Sequence, residues 1–246
     1  MRPRGAECER CAFEAGSPLG LSEAARNLLM QWVVVRSYPE GTTLFHQGEP
    51  VQRVYCVQRG CVLSRWDDNA GESVVRTLAF GSSMVGLVDA MSTARVHTSS
   101  AEVLTPLTAC TIDARALDRL LRSSPEIASV IASTLSAEVV QLVRDRMALL
   151  PMSIRRRMLK TIYDLREPCG TTREDGSLVV TLPFSRRVLA SLIGTTPESV
   201  SRSAQELKRS GLVRFEGRNV VVEDLDALLD AVERVEGSTD RMPPSR

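Results

Sequence analysis

Lysine is nearly missing from this chain of 246 residues: only Lys160 and Lys208 occur, so arginine supplies almost all the positive charge. That bias reads first as base composition of the genome and only second as function. Net charge is missing too. Lys+Arg 31 against Asp+Glu 30 leaves +1, with a sequence pI ≈ 7.6. Such a balance excludes a global basic field for nucleic acid, so any affinity of that kind must come from a local patch. No run approaches the roughly 18 apolar residues of a membrane span, and Met1–Gly5 leads into no signal-peptide core. The expectation is a soluble, cytoplasmic protein with no membrane partner. Internal repeats and low-complexity segments are absent. The two histidines, His46 and His97, are too isolated for a metal or catalytic site. Paired catalytic acids, a nucleophile with a nearby base and a phosphate-binding glycine loop are all lacking, so no enzyme is expected.

Two domains of ordinary size fit the length, and 43% apolar residues can fill two cores. Six cysteines in a cytoplasmic chain are not a disulfide framework; each is buried, reactive or metal-bound.

Taken in order, residues 1–20 read as a tail carrying Cys8-Glu-Arg-Cys11. Leu21–Val34 has Ser22 as N-cap and Leu28, Leu29 and Trp32 along one face, which predicts a helix. Short β-prone segments follow at Thr42–His46, Val51–Gln58, Cys61–Trp66, Ser73–Ala79, Ser99–Thr105 and Leu107–Ile112, with turns between them, one at Arg59-Gly60. Strands so regularly spaced suggest a barrel or jelly-roll over 21–123. Asp113–Arg122 returns to helical spacing. Pro125–Leu150 is the longest periodic stretch, and its apolar residues cover more than one face: Ile127, Ile131, Leu135, Val139 and Leu142 on one line, Val130, Val143, Met147 and Leu150 on another. One face covers its own domain; the other meets the same helix of a second subunit. The dimer interface is therefore placed on Ile127, Ile131, Leu135, Val139 and Leu142, within a dimerisation helix over 124–150. Ser153–Leu165 reads as a further helix, Glu167–Gly176 as a polar loop, Leu178–Leu182 as a strand and Ser238–Arg246 as a frayed tail.

The most informative stretch is Phe184–Gly217. Val188, Leu189, Leu192 and Ile193 form the stripe of a short helix, which Gly194 breaks. Thr196 is an N-cap and Pro197 sits at the first helical position. In the second helix Val200, Ala204 and Leu207 face inward, while Glu198, Ser199, Ser201, Arg202 and Gln205 face out. Leu212–Phe215 and Asn219–Val222 flank the turn Glu216–Arg218 as a hairpin. This is the pattern of a winged helix-turn-helix over 151–237. Glu198, Ser201 and Arg202 stand at i, i+3 and i+4, so all three reach one groove of double-stranded DNA. Arg202 can bind guanine O6 and N7, Glu198 can accept from cytosine N4, and Ser201 can take a base edge. Thr196, Ser199, Arg186, Arg214 and Arg218 are assigned to phosphates, which position without specifying.

A β-roll, a long helix and a C-terminal winged helix, with glycines at 41, 48, 60, 71 and 81, PLTACTIDARALDRLL leaving the roll and TTPESVSRSAQELKRSGLV in the recognition region, resemble the CRP/FNR family of bacterial transcription regulators. The implied fold class is α+β, with a cyclic-nucleotide-binding-like roll. Glu198, Ser201 and Arg202 match the E-x-x-S-R of the FNR side, where the cyclic-AMP side has a glycine at the place of Ser201. The resemblance implies a homodimer on a palindromic site with half-sites of TTGAT type, in contact with RNA polymerase. Cyclic-AMP-binding members resemble one another in a Gly-Glu and an Arg-Ser/Thr pair. Here Leu87 follows Gly86 and His97 precedes Thr98, so no cyclic AMP is expected. FNR proteins hold a [4Fe–4S] cluster on four thiolates. Cys8, Cys11 and Cys110 match three of these; Gly16, Ser17 and Pro18 stand where the remaining one falls. Glu14, Cys56, Cys61 or a small molecule is left to fill that place. The open readings are an oxygen- or nitric-oxide-sensitive iron–sulfur site, a thiol switch or zinc site at Cys8-x-x-Cys11, and a relic without ligand. Cys56 and Cys61 read as small core residues. The resemblance also sets Leu142 where FNR carries an acid that resists dimerisation, which favours a dimer without cofactor.

Overall fold

The computed structural model describes residues 20–68, 73–149 and 151–233. The chain divides into two compact units between Arg144 and Asp145.

In the first unit, α1 (Glu23–Met30) is capped by Ser22, whose hydroxyl accepts from the Ala25 N–H at 3.3 Å. The same hydroxyl donates to Glu126 Oε2 at 2.7 Å. Strands β1 (Val34–Tyr38), β2 (Thr43–Phe45), β3 (Arg53–Asp67), β4 (Ser73–Ala79) and β5 (Met84–Val85) follow, then α2 (Leu87–Met91), β6 (Ser100–Asp113), α3 (Ala114–Ser123) and α4 (Pro125–Leu149). The sheet runs β1-β6-β3-β4, with β2 on β6 and β5 on β3, every pair antiparallel. Alternation of side chains along β3 and β6 gives the sheet two apolar faces. Phe45, Val57, Val62, Val103 and Leu107 fill the inside of the roll. Leu29, Val54, Leu87, Ile112, Leu120, Ile127 and Ile131 pack the other face beneath the helices.

Several expectations need correction. Arg59-Gly60 is no turn: β3 runs through it, with register shifts on either side. Gly60 has φ +97°, and a Cβ there would stand 2.5 Å from the Pro106 carbonyl oxygen, so the strand crosses β6 only because the side chain is absent. The two segments around Pro106 are likewise one strand, β6. The first helix stops at Met30, and Val34 begins β1. Its β-branched pair Val34-Val35 pairs with Thr111 and Cys110, a long-range pairing that overrides helical periodicity. Helix α2 was not foreseen.

The long helix carries the largest correction. Ile127 and Ile131, expected at a dimer face, are 2% and 3% exposed in the core of their own unit. Leu135 packs against that core. Val139, Val140, Leu142 and Val143 are exposed. Moreover, Pro125–Arg144, with mean hydropathy 1.4, is long and apolar enough to cross a membrane by length and composition, and only 11% of that window is buried. Its consecutive apolar runs are nevertheless short, because Ser129, Ser133, Thr134, Ser136, Glu138 and Gln141 interrupt them.

In the second unit come α5 (Ile154–Asp164), α6 (Arg166–Cys169), β7 (Gly170–Thr172), β8 (Leu178–Thr181), α7 (Arg186–Leu192), α8 (Pro197–Arg209), β9 (Arg214–Glu216), β10 (Asn219–Val222) and α9 (Leu225–Glu233). The sheet order is β7-β8-β10-β9. The expected polar loop 167–176 thus contains α6 and β7, because Thr171 and Thr172 find pairing partners in Val179 and Leu178. Helix α9 was also missed.

Candidate nucleic-acid interface

Each element of the helix-turn-helix is built from its own sequence signals. Ser185 caps α7, its hydroxyl accepting from the Val188 N–H at 3.4 Å. Gly194 takes φ +67° at the turn, a conformation that suits a residue without Cβ. Thr196 Oγ1 accepts from the Ser199 N–H at 3.3 Å and lies 3.2 Å from Ser199 Oγ, and Pro197 opens α8. Val200, Ala204 and Leu207 are buried, as their spacing predicts. A contact the sequence did not announce fixes the turn: Arg157 Nη1, from α5, donates to Ile193 O at 3.1 Å.

The outward face of α8 is assembled by this packing. Pro197, Glu198, Ser201, Arg202 and Gln205 border one open depression. Glu198 and Arg202 are exposed and Ser201 is half-buried. The Glu198 backbone N–H, together with the Thr196 hydroxyl, holds the Glu198 carboxyl below the usual carboxylate range. It is therefore an acceptor, suited to an amino group on a base edge. Ser201 Oγ donates to Pro197 O at 2.9 Å, so toward the groove the hydroxyl offers its lone pairs. Gln205, which the sequence places on the outward face without a role in base contact, adds a side chain able to both donate and accept.

The residues assigned to phosphate contacts divide. Arg186 begins α7 and is exposed, as is Arg218 at the tip of the β9–β10 hairpin. Arg214 is instead held by Glu216 at 2.8 Å and Glu223 at 3.2 Å, which compensates its charge within the wing. The hydroxyls of Thr196 and Ser199 serve the helix cap.

In the first unit, Leu87 is fully buried among the helices. His97 is buried and stacks on Phe45 at 3.5 Å, with Nδ1 3.3 Å from Asp89 Oδ2. Thr98 Oγ1 donates to Asp89 Oδ1 at 2.8 Å and accepts from Arg76 Nη1 at 2.9 Å. Cys110 is half-buried and accepts from Gln58 Nε2 at 2.8 Å. Cys8 and Cys11 lie outside the described residues. Among the described residues no group of three or more His, Cys, Asp or Glu side chains could hold a metal ion.

A roll in the first unit and a capped, turn-linked helix pair with a wing in the second define a helix-turn-helix DNA-binding regulator. Comparisons with known proteins agree. A model of the cyclic nucleotide-binding domain matches residues 35–124, and one of the Crp-like helix-turn-helix domain matches residues 156–231. The chain is 27% identical over 214 residues to a CRP-like cAMP-activated global transcriptional regulator of Mycobacterium tuberculosis, covering 87% of this chain and 95% of that one. It is 24% identical over 226 residues to an anaerobic regulatory protein of Pasteurella multocida, covering 91% of this chain and 81% of that one. In fold it is similar to a CRP/FNR family transcriptional regulator from Thermus thermophilus, with TM-score 0.70 and 22% identity over 82% of this chain and 100% of that one. The chain belongs to the CRP/FNR family of transcription regulators.

Proposed function

We propose that this regulator acts as a homodimer that sets two α8 helices into successive major grooves of a palindromic, FNR-like promoter site and contacts RNA polymerase. It works where the DNA is, in the bacterial cytoplasm. The observation that carries this reading is the shared depression of Glu198, Ser201, Arg202 and Gln205 on the open face of α8. The E-x-x-S-R spacing favours the FNR side. The exposed apolar residues Val139, Val140, Leu142 and Val143 supply the dimer face. Their helix begins in the core of a DNA-binding regulator, which favours a protein partner over a bilayer.

The input is proposed to be oxygen, nitrogen oxides or redox state, read through Cys8, Cys11 and Cys110. Thiolates are the ligands an iron–sulfur cluster takes, and a cluster would supply reactivity toward oxygen and nitric oxide. Cys110 offers one half-buried thiol, but three matched thiols fall one short of four, so no step of the switch is assigned to a cluster.

A second reading, response to a cyclic nucleotide, has one contact in its favour: Arg76 brings a guanidinium to Thr98, where a cyclic phosphate would lie. Leu87 opposes it, since a buried leucine offers the ribose no acceptor. Calorimetry with cyclic AMP separates the two.

A gel shift tests the main reading. Arg202→Ala should abolish preference for a TTGAT-type palindrome over random duplex while the dimer stays folded. Unchanged affinity for the specific site would overturn the assignment.

A further inference from the structure

Two thiols on the floor of the helix-covered core play no part in DNA recognition. Cys56 on β3 and Cys110 on β6 are direct antiparallel partners, so their side chains leave the same face of the sheet. Residues opposed in this way have Cα atoms about 4.5–5.5 Å apart, inside the roughly 4.4–6.8 Å that a disulfide spans. Neither is disulfide-bonded in this structure. Both face one apolar cavity of about 50 Å³, walled by Leu21, Leu29, Met84 and Ile131. A single water needs on the order of 10–15 Å³ by this measure, so the cavity admits a molecule the size of a small hydroperoxide.

The two thiols are not equivalent. Cys56 is 8% exposed, whereas Cys110 is half-buried and receives the Gln58 amide N–H. A donor aimed at sulfur stabilises negative charge as it gathers there. Cys61 stands opposite Thr105, and burial pushes the Cys169 thiol up to about 11.

We propose that Cys56 and Cys110 form an oxidisable cross-strand dithiol, a modification site on the helix-covered face of the sheet that responds to hydroperoxides. Cys110 sulfur attacks the peroxide oxygen; the O–O bond breaks, and with hydrogen peroxide the hydroxide released takes the thiol proton and leaves as water. The resulting sulfenic acid is attacked by Cys56 sulfur, forming the S–S bond, and its hydroxyl leaves with the Cys56 proton as a second water. Two thiols lose two electrons and two protons, and one peroxide becomes two waters. The bridge ties β3 to β6 beneath Ile127 and Ile131 of α4, the helix whose far half carries the exposed apolar residues. The proposal rests neither on DNA recognition nor on a cluster.

The test uses the full-length chain, stripped of iron with a chelator, reduced, and titrated anaerobically with hydrogen peroxide. Remaining thiols are then alkylated and peptides mapped by mass spectrometry. The expected result is a peptide pair joined through Cys56 and Cys110, two hydrogens lighter than its reduced parts and restored by dithiothreitol. In Cys56→Ser, dimedone should label Cys110. Full alkylation of both after peroxide would overturn the proposal, as would a bridge from Cys110 to Cys8 or Cys11 that leaves Cys56 alkylated. The wild-type map stands whether or not the variant folds. Iron analysis and the gel shift report separately on the cluster and on DNA binding.

Discussion

Arg157 Nη1 donates to the carbonyl oxygen of Ile193 at 3.1 Å, while its Nε donates to Met152 O, also at 3.1 Å. One half-buried guanidinium therefore satisfies two carbonyls, at the end of α7 and ahead of α5, and holds the turn that aims α8. Arg157→Met should destabilise the second unit by about 1.5–3 kcal/mol, the range for hydrogen bonds to a charged group. Urea unfolding should show a lower midpoint for that unit, with weaker DNA affinity. Arg157→Lys should recover only part, since an ammonium lacks the planar fork that serves both oxygens.

Glu198 is the acceptor of the recognition face. Its carboxyl is held low by its own backbone N–H and by Thr196, so the charged form persists as pH falls through the ordinary carboxylate range and is lost only below it. Specific binding in the wild type should therefore be insensitive to Glu198 between pH 8 and roughly pH 5. Glu198→Gln should relax selectivity at one base pair by roughly tenfold, while non-specific affinity rises slightly because one negative charge no longer faces the phosphates. Competition gel shifts against sites altered at single positions check both outcomes.

Much of the winged helix was legible in the sequence because its signals are local. The caps Ser185 and Thr196, the break at Gly194, Pro197 at the start of α8 and the spacing of Val200, Ala204 and Leu207 each act within a few residues. What the sequence hid depends on partners far along the chain. Arg157 could not be matched to Ile193, nor Cys56 to Cys110, without the fold. The long helix shows the limit most clearly. Period alone put Ile127, Ile131, Val139 and Leu142 on one line, but the roll covers the first two and leaves the last two exposed.

The buried Asp89–His97 pair makes the first unit sensitive to acid. Burial lowers the His97 pKa, while the hydrogen bond and charge of Asp89 oppose that shift. Because the folded state binds this proton less readily than the unfolded chain, His97 contributes nothing adverse above its ordinary value near 6.5. Below it, protonation of the unfolded chain draws stability away until pH reaches the lowered folded value. Denaturation of wild type and His97→Gln at pH 7.5 and 5.5 should show a larger loss on acidification for the wild type. An equal loss would place the acid sensitivity elsewhere.

Gly60 should tolerate no side chain. Alanine there must adopt φ +97° and place its Cβ against the backbone of Pro106 and Leu107, neither of which is a flexible tip. Gly60→Ala should cost more than the ~1 kcal/mol of an ordinary glycine replacement at positive φ, because β3 and β6 must also separate. Thermal unfolding should show a lower midpoint for the first unit. Gly41→Ala, with φ +82° and open space around it, should cost less.

The exposed half of α4 yields the sharpest test of assembly. Val139 is 59% exposed and Leu142 51%, whereas Ile127 and Ile131 are locked in the core of their own unit. A charge at either exposed position therefore leaves that core intact and acts on whatever covers the helix. Val139→Glu combined with Leu142→Glu should stay folded but sediment as a monomer at micromolar concentration, where the wild type sediments as a dimer. Affinity for the full palindrome should fall steeply, because two half-site contacts no longer share one assembly. Affinity for an isolated half-site should stay the same. If the charged variant still sediments as a dimer, α4 is not the interface, and its apolar face must serve another partner.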